Sequence, residues 1–124
     1  RNNILMKNHI RETVAMPSII VHFNPANAAV LDGFSHFAEA MVRVIEDCLD
    51  AERSKIQIMS QALAHPPIGR PVYIEIKARD VEYRTDEVLA DFISRVDELS
   101  REVFETPCRI RYIRYPSAFL VAAN

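Results

Sequence analysis

Basic and aromatic residues interleave near the C-terminus. Arg109, Arg111 and Arg114 stand among Tyr112 and Tyr115. A basic strand with aromatics can hold RNA by stacking bases and neutralising phosphates. The net charge of −2 weighs against that use, as does the lack of a Gly-rich or RNP-like pattern. No nucleic-acid partner is expected. These cations are expected to pair with Asp and Glu across a subunit interface, or one of them to line an anion pocket. Glu75 and Asp80 are candidate general acids by position alone. His22 is another, although a histidine satisfied within a sheet is the commoner use. His9, His22, His36 and His65 show no H-x-x-x-H spacing, and Cys48 and Cys108 lie 60 positions apart with no C-x-x-C. No metal and no cofactor are expected.

A chain of 124 residues fits one domain. Its 49% hydrophobic and 26% charged residues place it among folded globular chains rather than disordered ones. Two lone cysteines make no disulfide scaffold, so a reducing, cytoplasmic location is expected. No apolar run reaches the roughly 18 residues of a membrane helix. The N-terminus lacks the apolar core of a signal peptide. No membrane partner is expected.

The chain reads as a leader followed by two copies of one unit. Pro17 opens Pro-Ser-Ile-Ile-Val-His-Phe, and Pro71, 54 positions later, opens Pro-Val-Tyr-Ile-Glu-Ile-Lys. The same spacing carries Lys55-Ile56-Gln57-Ile58 onto Arg109-Ile110-Arg111-Tyr112. The expected division is a leader over 1–16, then one domain over 17–124 with repeats 17–70 and 71–124.

Each unit reads strand, helix, strand. Residues 18–23 are rich in Ile, Val and Phe, as a strand requires. Val30, Phe34, Phe37, Met41, Ile45 and Cys48 recur at helical steps and form one apolar face, which puts Cys48 in the core. Residues 55–60 read as a short strand. Val72, Ile74 and Ile76 alternate with Tyr73, Glu75 and Lys77, which predicts a strand over 72–78. Thr85 is a suitable N-cap with Asp86 and Glu87 in the first turn. Leu89, Phe92, Val96, Leu99 and Val103 form the second helical face, and residues 109–115 the last strand. The apolar tail after Ser117 is expected to pack on a neighbour or to add a strand.

Two βαβ units predict parallel pairs and a four-stranded mixed sheet with both helices on one face. The fold class is therefore α/β (α+β), βαββαβ. Both parities of residues 18–23 are largely apolar, so association is expected to cover the other face.

Met16-Pro17-Ser18-Ile19-Ile20-Val21, with two fused βαβ units of this size, resembles the tautomerase superfamily over residues 17 to about 115. The nearest resemblances are to 5-carboxymethyl-2-hydroxymuconate isomerase and malonate semialdehyde decarboxylase. Macrophage migration inhibitory factor shares the architecture. The resemblance implies a homotrimer with sheets around a central axis and helices outside. It also implies a pocket at the subunit edge that uses an amino-terminal proline. With Met16 removed, Pro17 would be a free secondary amine. Burial and nearby cations disfavour its protonated form, so it can move protons between carbon and oxygen of an enol.

Here 16 residues precede Pro17, so its nitrogen is a tertiary amide. Either translation begins at Met16 and the leader is a non-native or upstream-start extension, or the leader is native and the amine is lost or awaits unmasking. Met6 is a third candidate start.

Arg79 and Arg84 resemble the paired arginines after the corresponding strand of malonate semialdehyde decarboxylase. Arg84-Thr85 also resembles the Gly-Arg-Ser that opens the second helix of the hydroxymuconate isomerase. Arginine binds carboxylates through two parallel hydrogen bonds, which suits oxo-acid substrates; solvated loop arginines are the plainer use. Gln57 and Asn27 stand where oxalocrotonate tautomerases carry arginines. Lys55 can supply charge nearby. Arg111 stands where migration inhibitory factor has a pocket tyrosine.

The expectation is an enzyme of tautomerase or isomerase type, or one catalysing a related decarboxylation or hydration, acting on a small carboxylated enol or oxo-acid. Pro17 is the acid/base, and Arg84, Arg79 and Lys55 bind the substrate. Two other expectations stand beside it. One is a catalytically silent trimer whose proline is blocked. The other is a ferredoxin-like binding module with the same element order and interleaved strands.

Overall fold

Alternation of apolar residues decides the strands. A computed structural model describes residues 17–123. The leader, with Met6 and Met16, lies outside the described residues. In β1 (Ser18–Phe23), Ile19, Val21 and Phe23 are buried against the helices. In β3 (Val72–Arg79), Val72, Ile74, Ile76 and Ala78 are buried. The intervening residues face the opposite way, as the pleat demands.

Each helix begins at a side-chain cap, and Thr85 is the one the sequence predicts. In α1 (Ala28–Leu49), the Asn27 side chain accepts from the Val30 N–H at 3.3 Å. In α2 (Asp86–Phe104), Thr85 Oγ1 accepts from the Val88 N–H at 3.3 Å, with Asp86 and Glu87 in the first turn. Both helices end on a residue in the left-handed region, Asp50 at φ 53° and Glu105 at φ 59°. Neither is glycine, so each carries some backbone strain. The helices approach closely at Gly33, where a Cβ would meet Val103 Cγ1 at 2.7 Å. Phe37 packs on Phe104 with ring centroids 4.7 Å apart.

The strand after α1 starts later than its sequence suggests. Arg53–Lys55 closes a 3-10 turn, in which the Lys55 N–H donates to Glu52 O at 2.9 Å and the Ile56 N–H to Arg53 O at 3.1 Å. Pairing with β1 begins at Gln57, so β2 is Gln57–Ala62 rather than 55–60. Lys55 precedes the strand instead of opening it. The last strand, β4, is Arg109–Tyr115.

The strand order is β2-β1-β3-β4. β1 runs parallel to β2, β3 parallel to β4, and β1 antiparallel to β3. This is a four-stranded mixed sheet, an α+β fold. Each βαβ unit pairs its own two strands, which rules out the interleaved ferredoxin-like order.

The repeat in space differs from the proline spacing. Phe92 follows Phe37, and Ile74 follows Ile19, by 55 positions, with all four buried. A spacing of 54 would lay Ile19 on Tyr73, which faces the other side; a shift of one residue reverses every side chain. The second strands follow at 52, since Ile58 is the partner of Ile19 and Ile110 the partner of Ile74. The three residues of difference match the turn Arg53–Lys55, for which the second unit has no counterpart.

The helix-free face mixes apolar and charged residues, with Met59 of β2 and Ile113 of β4 each 40% exposed there. β1 shows Ser18, Ile20 and His22 there, and β3 shows Tyr73, Glu75, Lys77 and Arg79. The tail makes a 3-10 turn at Ser117–Phe119 and adds no strand among the described residues. Phe119 is 80% and Val121 97% exposed. Among the described residues, no helix is long and apolar enough to cross a membrane.

Candidate active site

The strand directions bring Pro17 and the predicted substrate-binding residues to one end of the sheet. The starts of the parallel pair β1 and β2 lie at the same end as the finish of β3 and β4. Pro17 immediately precedes β1 and is buried. Its carbonyl accepts from the Gln57 N–H at 3.2 Å, which ties it to the start of β2. Lys55 is half-buried two residues before that strand, and Arg79 closes β3. Tyr115, the register partner of Arg79, closes β4. Its carbonyl accepts from the Asp80 N–H at 2.7 Å.

Arg84 belongs to this end but sits inside it. It is 1% exposed. Its Nε and Nη2 donate to the Leu49 carbonyl at 3.3 and 3.2 Å, and its Nη1 to the Arg79 carbonyl at 3.0 Å. The Tyr83 ring lies 5.5 Å from the guanidinium carbon. Helix α1 has no basic residue in its last turn. Arg84 supplies that charge from 35 positions away, at the negative end of the helix dipole. A buried guanidinium loses several kcal/mol of hydration, offset here by carbonyl oxygens. Alternation puts the Arg79 side chain on the helix-free face, so the two arginines do not form a side-by-side clamp.

The other candidates are engaged in different ways. Asp80 is bridged by Arg114 at 2.8 Å, and Arg114 also reaches Asp86 at 3.1 Å. Glu75 accepts from the Tyr73 hydroxyl at 3.0 Å and lies 3.6 Å from Lys77 Nζ. Burial, with Glu75 next, pushes the Tyr73 phenol above its usual pKa. His22 stacks on Tyr73 with centroids 5.4 Å apart.

Two features escaped the sequence. The Tyr112 ring packs edge-on against Phe92 at 5.9 Å. Burial pushes its phenol up, and the Arg84 charge pulls it partly back. Alternation along β4 could have placed it in the core. The second is an open cleft of about 310 Å³ between the helices, lined by Asp47, Cys48, Glu87, Val88, Asp91 and Arg95. Cys48 packs against the edge of the core and is half-exposed to this cleft, with its Sγ 3.0 Å from Arg95 Nη1, and burial pushes its thiol up. Among the described residues, no group of three or more His, Cys, Asp or Glu is placed to hold a metal.

No protein-family model matches the chain, and no curated protein matches it in sequence. Solved structures do match. One is N1, a member of the cis-3-chloroacrylic acid dehalogenase family: TM-score 0.68, 14% identity, covering 85% of this chain and 79% of that one. A second is 5-carboxymethyl-2-hydroxymuconate delta-isomerase: TM-score 0.64, 8% identity, covering 90% and 89%. A third is W0 fused 4-OT, a symmetric trimer: TM-score 0.64, 18% identity, covering 80% and 87%. The chain has the fold of these tautomerase-superfamily structures.

Proposed function

We propose that this chain, when Pro17 is its first residue, catalyses proton transfer on a small carboxylated enol or oxo-acid. Isomerisation is the leading reaction, with decarboxylation or hydration as related ones. The position of Pro17 carries the proposal: buried, at the head of β1, at the sheet end shared with Lys55 and Arg79. Burial and neighbouring cations keep a prolyl amine neutral at lower pH than in water. The amine takes a proton from one end of the enol system and returns it to the other, so the enzyme ends each turnover unchanged. Arg79 and Lys55 bind the substrate carboxylate. Arg84 positions Arg79 by holding its carbonyl.

The active form is a homotrimer in the cytoplasm, working without metal or cofactor. Similarity to a structure titled as a symmetric trimer supports the assembly. Similarity to a delta-isomerase supports the reaction class.

One observation favours a second reading. In the 124-residue sequence the Pro17 nitrogen is an amide, neither basic nor nucleophilic. A chain that keeps its leader would be a catalytically silent trimer with a binding or structural role. Intact mass of the protein from its native host separates the two. A mass beginning at Pro17 is expected; a mass that retains earlier residues overturns the enzyme reading.

A further inference from the structure

Arg84 is the one buried charge among the described residues, and it lies at the Pro17 end of the sheet. Continuing the register of Ser18 with Lys77 by one residue sets Pro17 opposite Ala78. The Arg79 carbonyl, which Arg84 Nη1 holds at 3.0 Å, is the next along β3. Strands about 4.8 Å apart, with about 3.4 Å between residues, put the guanidinium within about 10 Å of Pro17. Both lie on the helix side of the sheet. Pro17 is buried in phase with Ile19 and Val21, and Arg84 reaches the last carbonyl of α1, that of Leu49. Its charge is felt by a second group there: burial raises the Tyr112 phenol, and the Arg84 charge pulls it partly back. The other charges at this end meet water in the single chain. Lys55, Lys77, Arg79, Asp50, Glu52 and Glu82 are each at least partly exposed. Arg114 is exposed and bridged to the exposed Asp80 and Asp86.

We infer that the buried Arg84 charge holds the Pro17 amine in its neutral form, as a positioning residue acting on the amine rather than a ligand of the substrate. The inference rests on the reading of Pro17 as a free amine in a chain that begins there. A cation disfavours a second positive charge nearby, and burial keeps water and salt from screening it. Two charges about 10 Å apart, at an effective dielectric constant of about 20, shift a titration by about one pH unit. Exposed lysines and arginines are damped by water and salt, so they contribute less.

The core of the described residues runs from Ile19 to Cys108, so a chain beginning at Pro17 carries it whole. NMR of isotope-labelled proline in that chain gives the midpoint of the amine against pH. Arg84→Gln should raise the midpoint by about one pH unit. Arg84→Lys keeps the charge and should raise it by less than about 0.3 unit. Lys55→Gln and Arg79→Gln should each raise it by less than about 0.5 unit. Circular dichroism melts confirm that the variants fold. Without any substitution, the midpoint should rise by less than about 0.3 unit between low salt and about 0.5 M salt, because a buried charge is little screened. An unmoved midpoint in folded Arg84→Gln, an equal rise in Arg84→Lys, a larger rise in Arg79→Gln, or a salt-driven rise of about one unit overturns the inference. Enol turnover is followed in the same samples. A shifted amine without turnover overturns the catalytic reading and leaves this inference standing; turnover with an unmoved amine does the reverse.

Discussion

The Arg84 guanidinium closes the C-terminus of α1 by donating from Nε and Nη2 to the Leu49 carbonyl, at 3.3 and 3.2 Å. Its Nη1 holds the Arg79 carbonyl at 3.0 Å, so one buried side chain joins the end of a helix to the end of a strand. Arg84→Ala removes these bonds and leaves buried carbonyls unanswered. The expected cost is about 2–4 kcal/mol in urea unfolding. An arginine that merely awaits substrate would change stability by less than about 0.5 kcal/mol. Arg84→Lys keeps the charge but loses the fork, so it should recover only part of the loss.

Gly33 marks the tightest approach of the helices. A Cβ there would lie 2.7 Å from Val103 Cγ1 and 3.2 Å from Val103 O. The first atom can shift; the backbone oxygen cannot easily. Gly33→Val should cost about 1–3 kcal/mol by overpacking. Adding Val103→Ala should recover much of it, which thermal melts of the single and double variants would reveal. Equal stability of Gly33→Val and the unaltered chain would contradict the close contact.

How much of this was legible beforehand differs from residue to residue. Ile74 and Ile76 alternate with polar neighbours, and Thr85 precedes two acids, so strand and cap declare themselves locally. Arg84 does not. It looks like a loop arginine beside Tyr83, and its need arises at Leu49, 35 positions away in sequence. Pro17, Lys55 and Arg79 lie within 62 positions of one another, and only the strand directions reveal that they share an end. The proline spacing of 54 misleads because a proline reports where a strand begins, not which face its residues take. The Arg53–Lys55 turn shifts β2 because a single turn of 3-10 helix has too few residues to show a period.

Tyr112 predicts a pH effect. Burial raises its phenol pKa, with Arg84 opposing. The folded chain therefore favours the protonated phenol. Its contribution to stability is whole below the unfolded value of about 10 and is lost as pH rises through the higher folded value. Urea midpoints at about pH 8 and pH 11 should fall further for the unaltered chain than for Tyr112→Phe. Equal falls would mean the phenol is not shielded.

The proposed chemistry turns on the Pro17 nitrogen. It is tested most directly by following the ketonisation of a small enol acid in the ultraviolet, with a chain beginning at Pro17 beside the full 124-residue chain. The chain beginning at Pro17 should accelerate ketonisation, lose that acceleration when Pro17 is replaced by Ala, and exceed the full chain by about 100-fold or more, the usual scale of a positioned acid/base. Equal rates for the two chains, or none for the chain beginning at Pro17, would contradict the proposed role of the proline.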